Sequence, residues 1–137
     1  MASYLPQDAG FLPWFLLFNT VLSWGNTIQC FLAPTKVKEL YAGPNGASQV
    51  TNLSAHTFGC WTILSGFVRF YAAYNITNPQ VYALAFWAYV AILFHWTTEL
   101  LVYHTTKIDA GNILSFLIDG GGLVWTFCQW ERYTGSG

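Results

Sequence analysis

Four long apolar segments, separated by short polar gaps, occupy most of the chain: residues 11–32, 57–74, 81–104 and 113–130. An α-helix rises ~1.5 Å per residue, and the hydrocarbon core of a bilayer is ~30 Å thick. Each segment is therefore about long enough for one membrane crossing. The sequence predicts an all-α membrane protein, a four-helix transmembrane bundle in which residues 1–137 form a single domain.

The composition agrees with this fold class and excludes several functions. Charged residues make up 8% of the chain, whereas an ordinary soluble domain has ~25%. The net charge of −1 offers no basic surface for nucleic acid. The three cysteines lie in or beside apolar segments without a CxxC pair, which argues against a disulfide framework or a zinc site. The residues outside the four segments are too few for a soluble catalytic domain.

The gaps between the segments set the order of the helices. Residues 33–55 form the one sizeable loop, and we expect a short helical piece at 35–41 within it. Short turns at 75–79 and 107–111 make the second, third and fourth helices antiparallel neighbours.

Polar and small residues recur every three or four positions in each segment, so each set lies on one helical face. In lipid such a face must turn inward, because an unpaired polar group in hydrocarbon costs several kcal/mol. The predicted inward sets are Asn19, Ser23, Asn26 and Cys30; Thr62, Ser65, Gly66, Arg69 and Ala73; Ala88, Ala91, His95 and Glu99; and Ser115, Asp119, Gly122, Thr126 and Gln129. We therefore expect a polar interior and an aromatic exterior that includes Trp14, Phe18, Trp87, Phe94 and Trp125.

Three charged residues, Arg69, Glu99 and Asp119, lie within predicted spans. A lone charge at mid-membrane costs ~2.5–3.5 kcal/mol even on insertion scales. Arg69 is therefore expected to approach Glu99 or Asp119, or to extend to its own interface. His95 and Glu99 share a helical face. They would form a metal, proton-relay or acid–base pair, or His95 would be a buried histidine satisfied by a carboxylate or a hydroxyl.

Cofactor sites are not indicated. The chain has only three histidines, too few ligands for a di-iron oxidase and poorly placed for a bis-histidine haem. The run at residues 120–122 (Gly-Gly-Gly) lies within a helical segment without a preceding strand, so it predicts close helix packing rather than a phosphate cradle. We predict no cofactor, no metal site and no catalytic residue.

Several short segments follow one another in a characteristic order: GNTIQ at 25–29, LYAG at 40–43, TFGCWTILS at 57–65, Arg69, and HWTTELLVY at 95–103. In this order they resemble the ergosterol biosynthetic protein 28 family, small endoplasmic-reticulum proteins of the sterol pathway. No piece is specific alone, but the ordered set is, and the resemblance covers residues 14–133.

The resemblance implies a multi-pass endoplasmic-reticulum membrane protein that acts as a non-catalytic scaffold. Family members tether the sterol C-4 methyl oxidase, the decarboxylating 3β-hydroxysteroid dehydrogenase and the 3-keto sterol reductase, and in fungi the sterol C-24 methyltransferase is also linked. Membrane lipid and a second copy of the chain are further possible partners. The candidate structural or interaction residues are Asn26, Gln29, Thr57, Gly59, Trp61, Arg69, His95, Glu99 and Asp119.

Two other functions stay open at the level of sequence. One is a sterol-binding or handover protein with a groove among aromatic helices. The other is a membrane enzyme that uses His95, Glu99 and Asp119.

The side of the membrane on which the ends lie also stays open. Lys36, Lys38 and Lys107 fall on one side if all four helices span, and the positive-inside rule would place their loops in the cytosol. The basic C-terminal tail of the resembled family, which this sequence lacks, favours cytosolic ends instead.

Overall fold

The structure, a computed structural model, describes Pro6 and residues 10–135. This part of the chain contains six α-helices, two short 3₁₀ segments and no strand, so the all-α prediction is confirmed. The helices are α1 (Leu12–Leu32), α2 (Val37–Leu40), α3 (Asn52–Tyr74), α4 (Pro79–Leu101), α5 (Ala110–Cys128) and α6 (Trp130–Thr134), and the 3₁₀ segments are Pro34–Lys36 and Ala47–Gln49.

The first long helix has the expected limits. Pro13 lies in its first turn, where the missing N–H costs little. The helix ends at Leu32 because Ala33 precedes Pro34, and a residue before proline is disfavoured in the α region.

The second long helix, α3, begins at Asn52 rather than at residue 57. Thr51 and Ser54 form a capping box: the Ser54 backbone N–H donates to Thr51 Oγ1 at 3.1 Å, and the Thr51 N–H donates to Ser54 Oγ at 2.8 Å. This reciprocal pair satisfies two of the free N–H groups at a helix start, so the helix extends into the predicted loop at 33–55.

The third and fourth long helices also begin before their apolar segments, because side chains cap their first turns. Asn78 accepts hydrogen bonds from two N–H groups of α4, and Asp109 accepts one from Asn112 N at 2.9 Å at the start of α5. The predicted end of the third helix at 104 is wrong, since α4 ends at Leu101 and His104 has a φ of 56°. The predicted fourth helix at 113–130 is divided into α5 and α6 at Gln129.

The four long helices pack as neighbours. α1 lies against α3 along most of its length, α4 packs on both α3 and α5, and α1 also reaches α5. A larger apolar cluster, with Leu12, Leu16, Ile76, Tyr82 and Tyr89 among its members, occupies the end of the bundle that holds the α3–α4 turn. A smaller cluster of Cys30, Val37 and Ala55 lies at the other end.

Within the described residues, two helices, α4 and α5, are long and apolar enough to cross a membrane. α1 and α3 have 21 and 23 residues and so match in length. Their polar residues lower their mean hydropathy, and the prediction of four spans is therefore supported directly for only two of them.

The predicted inward faces are correct for α3 and wrong for α4. On α3, Thr62, Ser65, Gly66, Arg69 and Ala73 are all buried. The buried face of α4 instead comprises Tyr82, Ala85, Tyr89, Ile92 and Trp96, while Ala91 is exposed and Ala88, His95 and Glu99 lie at its edge. The reason is that α4 turns tyrosines inward: the Tyr82 hydroxyl donates to Thr126 O at 2.6 Å, and the Tyr89 ring packs beside the Arg69 guanidinium.

Of the aromatic residues expected outside, four are exposed: Trp14, Phe18, Trp87 and Phe94. Trp125 is half-buried against Phe15, with ring centroids 5.2 Å apart. Of the glycine run, only Gly122 lies at a close helix contact, where an added Cβ would come within 2.5 Å of the Tyr89 ring; Gly120 and Gly121 face open space.

Candidate functional site

Hydrogen bonds from α1 side chains to α3 carbonyls join the two helices at intervals of about one turn. The donors are Thr20 to Gly66 O at 3.2 Å, Trp24 Nε1 to Ile63 O at 3.3 Å, and Thr27 to Gly59 O at 3.0 Å. Residue numbers rise on α1 as they fall on α3, so the helices are antiparallel. We call this contact the α1–α3 seam.

Two glycines let the helices of the seam approach. A Cβ at Gly59 would lie 2.8 Å from the Phe31 ring, and one at Gly66 would collide with the Trp24 indole. Beside them, Thr27 and Thr62 hydroxyls lie 2.8 Å apart, and the Asn26 side-chain amide donates to the Thr62 hydroxyl at 3.4 Å. Small residues and interhelical hydrogen bonds of this kind join helices in lipid.

A buried charged residue, Arg69, lies next to the α1–α3 seam. Arg69 is 2% exposed, and its Nη1 donates to Ser23 Oγ on α1 at 2.7 Å. Its Nη2 lies 3.9 Å from Asp119 Oδ1 on α5, and its guanidinium carbon lies 4.8 Å from the centre of the Tyr89 ring on α4. Arg69 thus contacts all three other long helices. Of the two carboxylates predicted as its partner, Glu99 and Asp119, Asp119 is the one that lies beside it.

A cavity of about 170 Å³ opens beside Arg69 between the four long helices. Its polar lining includes Asn19, Ser65 and Asp119, and its apolar lining includes Leu22 and Trp96. The Arg69 Nε and Nη2 atoms and the Ser65 hydroxyl are buried without a hydrogen-bond partner in the described part of the chain. We call this space the Arg69 cavity.

A second polar cluster lies nearer the end of the bundle that carries α2. Tyr41 is the residue directly after α2, and its hydroxyl lies 2.8 Å from His95 Nε2. The His95 ring packs against the Trp61 ring, with the two centroids 5.4 Å apart. The Glu99 carboxylate accepts a short hydrogen bond from the Thr105 hydroxyl. Burial, with the Glu99 charge nearby, raises the pKa of the Tyr41 hydroxyl, so that this group stays neutral.

The loop before α3 and the loop after α4 are joined by backbone pairing at this end. Gly43 N donates to Thr105 O at 2.9 Å, and Asn45 N donates to His104 O at 3.1 Å. The approach requires glycine, since a Cβ at Gly43 would lie 2.6 Å from His104 O and one at Gly46 would collide with Thr105 O.

The predicted site residues lie in three adjoining clusters. Asn26 and Gly59 lie in the α1–α3 seam, Arg69 and Asp119 lie at the Arg69 cavity, and Trp61, His95 and Glu99 lie around Tyr41. Asn26 and Trp61 also line the Arg69 cavity, which joins the clusters. Thr57 is exposed, with its hydroxyl donating to Leu53 O of its own helix, and Gln29 is half-buried. In the described residues no group of three or more His, Cys, Asp or Glu side chains is placed to hold a metal ion.

Sequence reasoning missed the partners of these residues. Tyr41 and Thr105 come from loops, and Tyr89 was hidden among the apolar residues of α4. The only signal for Tyr41 was its place in the LYAG piece of the resemblance.

Comparison with known proteins places the chain among sterol-pathway proteins. Residues 12–124 match the family described as Erg28 like protein. The chain is 36% identical to Ergosterol biosynthetic protein 28 of Saccharomyces cerevisiae over 127 residues, covering 92% of this chain and 84% of the yeast protein. It is 42% identical to the Schizosaccharomyces pombe protein of that name over 100 residues, covering 73% and 71% of the two chains.

The similarity extends to animals. The human Ergosterol biosynthetic protein 28 homolog is 35% identical over 105 residues, covering 75% of this chain and 73% of the human protein. No solved structure matches the chain.

Proposed function

The chain belongs to the Erg28 family, and from that premise we propose that it is a non-catalytic scaffold of sterol biosynthesis in the endoplasmic-reticulum membrane. Its partners are the sterol C-4 methyl oxidase, the decarboxylating 3β-hydroxysteroid dehydrogenase and the 3-keto sterol reductase, with the sterol C-24 methyltransferase as a further one. Membership of a family named for ergosterol biosynthesis is the observation that carries the proposal.

The arrangement of the polar side chains supports a structural role for them. Thr20, Trp24 and Thr27 are engaged in the seam, and His95 and Glu99 are engaged with Tyr41 and Thr105. These groups hold helices and loops together. The enzyme alternative would need His95, Glu99 and Asp119 to act on one substrate, but each has a different polar neighbour: Tyr41 for His95, Thr105 for Glu99 and Arg69 for Asp119.

The physical benefit of a scaffold follows from the solubility of sterols. The intermediates are apolar and dissolve in the bilayer, where they diffuse away from the enzyme that made them. Holding consecutive enzymes together raises the effective concentration of each intermediate at the next active site.

A scaffold inside the bilayer needs a stable bundle, and the paired loops support four spans. If α4 crosses the membrane, its two ends lie on opposite sides. The bonds from Gly43 and Asn45 to residues 104–105 tie the loop before α3 to the end of α4. α3, which runs from this loop to the start of α4, must then cross as well, and so must α1, which lies antiparallel along α3. Phe18 and Ile28 on α1 and Leu64 and Phe67 on α3 are exposed, as lipid-facing residues would be.

A topology experiment separates four spans from two. Glycosylation acceptor sites are placed in the loop at residues 44–49 and after the C-terminus. With four spans the two sites lie on opposite sides of the membrane, and only one is glycosylated. If α4 and α5 alone cross, the sites lie on the same side and behave alike.

Affinity capture tests the scaffold directly. The tagged chain is purified from membranes in mild detergent, and co-purifying proteins are identified by mass spectrometry. We expect the sterol C-4 enzymes, and recovery of none of them overturns the proposal. Two double variants locate the docking face: Trp87→Ala with Phe94→Ala on α4, and Trp14→Ala with Phe18→Ala on α1, all four residues being exposed.

A further inference from the structure

We propose that the Arg69 cavity binds the hydroxyl end of a 3-hydroxysterol, with the sterol hydroxyl held between the Arg69 guanidinium and the Asp119 carboxyl group. The identity of the lipid rests on the proposed function. The existence of a polar subsite rests on the geometry alone.

The first observation is a buried charge with unused donors. Arg69 makes one hydrogen bond, to Ser23, while Nε and Nη2 have no hydrogen-bond partner in the described residues. The 3.9 Å from Nη2 to Asp119 Oδ1 is longer than a hydrogen bond. Buried polar groups are nearly always paired, and leaving the donors of a buried charged group unpaired is especially unfavourable, so these donors need a ligand or water.

The second observation is the mixed lining of the cavity. Ser65, whose hydroxyl is also unpaired, lies at its polar side, and Ile92, Trp96 and Ile118 supply an apolar side. Leu22 lines the cavity and is exposed, so the cavity reaches the outer surface of the bundle. An amphiphile with a small polar end matches this lining.

The size limits how much of the ligand enters. The cavity has a volume of about 170 Å³, below the ~300–1,000 Å³ of pockets that enclose a whole drug-sized ligand. Only the polar end of a lipid and the ring that bears it enter, and the rest lies along the outer surface beside Leu22.

The chemistry of the two side chains selects a hydroxyl. Arg69 can only donate, and an ionised Asp119 can only accept. A sterol hydroxyl accepts a hydrogen bond from Arg69 and donates one to Asp119. A ketone satisfies Arg69 but offers nothing to Asp119, and a carboxylate adds a second negative charge beside Asp119. The site therefore favours 3-hydroxysterols over 3-ketosterols.

Photolabelling of the purified full-length chain in lipid nanodiscs tests the proposal. The probe is a 3β-hydroxysterol with a diazirine and an alkyne tag, and the labelled peptides are identified by mass spectrometry. We expect saturable labelling of peptides that line the cavity. Ergosterol competes, and its 3-keto analogue competes about tenfold less well, since it lacks one hydrogen bond to a charged group.

Two variants of one residue provide a matched control. Ser115 lines the cavity from α5, and its hydroxyl donates to Gly111 O of its own helix. Ser115→Ala keeps the space and should label as wild type does. Ser115→Phe fills the space and should lose saturable labelling while its melting temperature stays near that of wild type.

Equal labelling of Ser115→Ala and Ser115→Phe would overturn the inference, and so would competition by the 3-keto analogue as strong as that by ergosterol. An absence of saturable labelling would also overturn it and would indicate that water alone fills the cavity. The competition uses the wild-type chain, so it decides the matter even if Ser115→Phe does not fold. Labelling needs no enzyme and affinity capture needs no sterol probe, so failure of one leaves the result of the other intact.

Discussion

The α1–α3 seam makes a sharp prediction because two glycines in the same pair of helices have opposite surroundings. A Cβ at Gly66 would lie 2.6 Å from Trp24 Cδ1 and closer still to its Nε1. Trp24 cannot easily move, because its ring packs on those of Phe67 and Phe70 with centroids 5.0 and 5.7 Å away. Its Nε1 also donates a hydrogen bond to Ile63 O. At Gly25, on α1, nothing lies within 4 Å of an added Cβ.

The expected effect of Gly66→Ala is the balance of three contributions. Overpacking costs ~1–3 kcal/mol, and displacement of the indole loses a hydrogen bond of about 0.5–1.5 kcal/mol. Replacing glycine by alanine within a helix restores about 0.8–1 kcal/mol. We therefore expect Gly66→Ala to lower the free energy of unfolding by roughly 1–3 kcal/mol. Gly25→Ala has only the third contribution and should be neutral or more stable than wild type.

The comparison requires the same detergent and the same probe for all three proteins. Unfolding with increasing sodium dodecyl sulfate, followed by tryptophan fluorescence, gives the difference in the free energy of unfolding. The reasoning is refuted if Gly66→Ala is as stable as Gly25→Ala, because the close approach of α1 and α3 would then not exist in solution.

Three further substitutions test the end of the bundle that carries the paired loops. Glu99→Leu removes the acceptor for the Thr105 hydroxyl and should lower the melting temperature, and unchanged stability would show that the carboxylate is not engaged there. Tyr41→Phe should cost about 0.5–1.5 kcal/mol by removing the bond to His95, with the unfolding curve as the measurement. Gly46→Ala should increase proteolysis of the loop, because its Cβ collides with Thr105 O.

Sequence periodicity located the inward face of α3 but not that of α4. The residues of α3 that face α1 are small or polar, so a search for polar spacing finds them. α4 faces inward with Tyr82 and Tyr89, large aromatic residues that a search for polar spacing does not detect. An aromatic residue with a polar tip is thus the case in which polarity patterns mislead.

The limits of the helices depended on side chains outside the apolar segments. Thr51, Asn78 and Asp109 each cap a helix start a few residues before apolar character begins. Hydropathy cannot detect them, whereas the rule that Ser, Thr, Asn and Asp cap helices could have. The choice of Asp119 over Glu99 as the neighbour of Arg69 required the packing of α5 on α4, which no local pattern encodes.

The helices of the bundle contact each other in two ways: directly, as in the α1–α3 seam, and around the Arg69 cavity. α1 and α3 meet directly through Gly59 and Gly66, whereas Arg69 and Asp119 approach to 3.9 Å beside the Arg69 cavity. A ligand in that space would touch both sides and stabilise their association by RT ln(1 + [L]/Kd), about 2.7 kcal/mol at a hundredfold excess over Kd. Sterol occupancy would then strengthen the same helix packing on which a membrane scaffold depends.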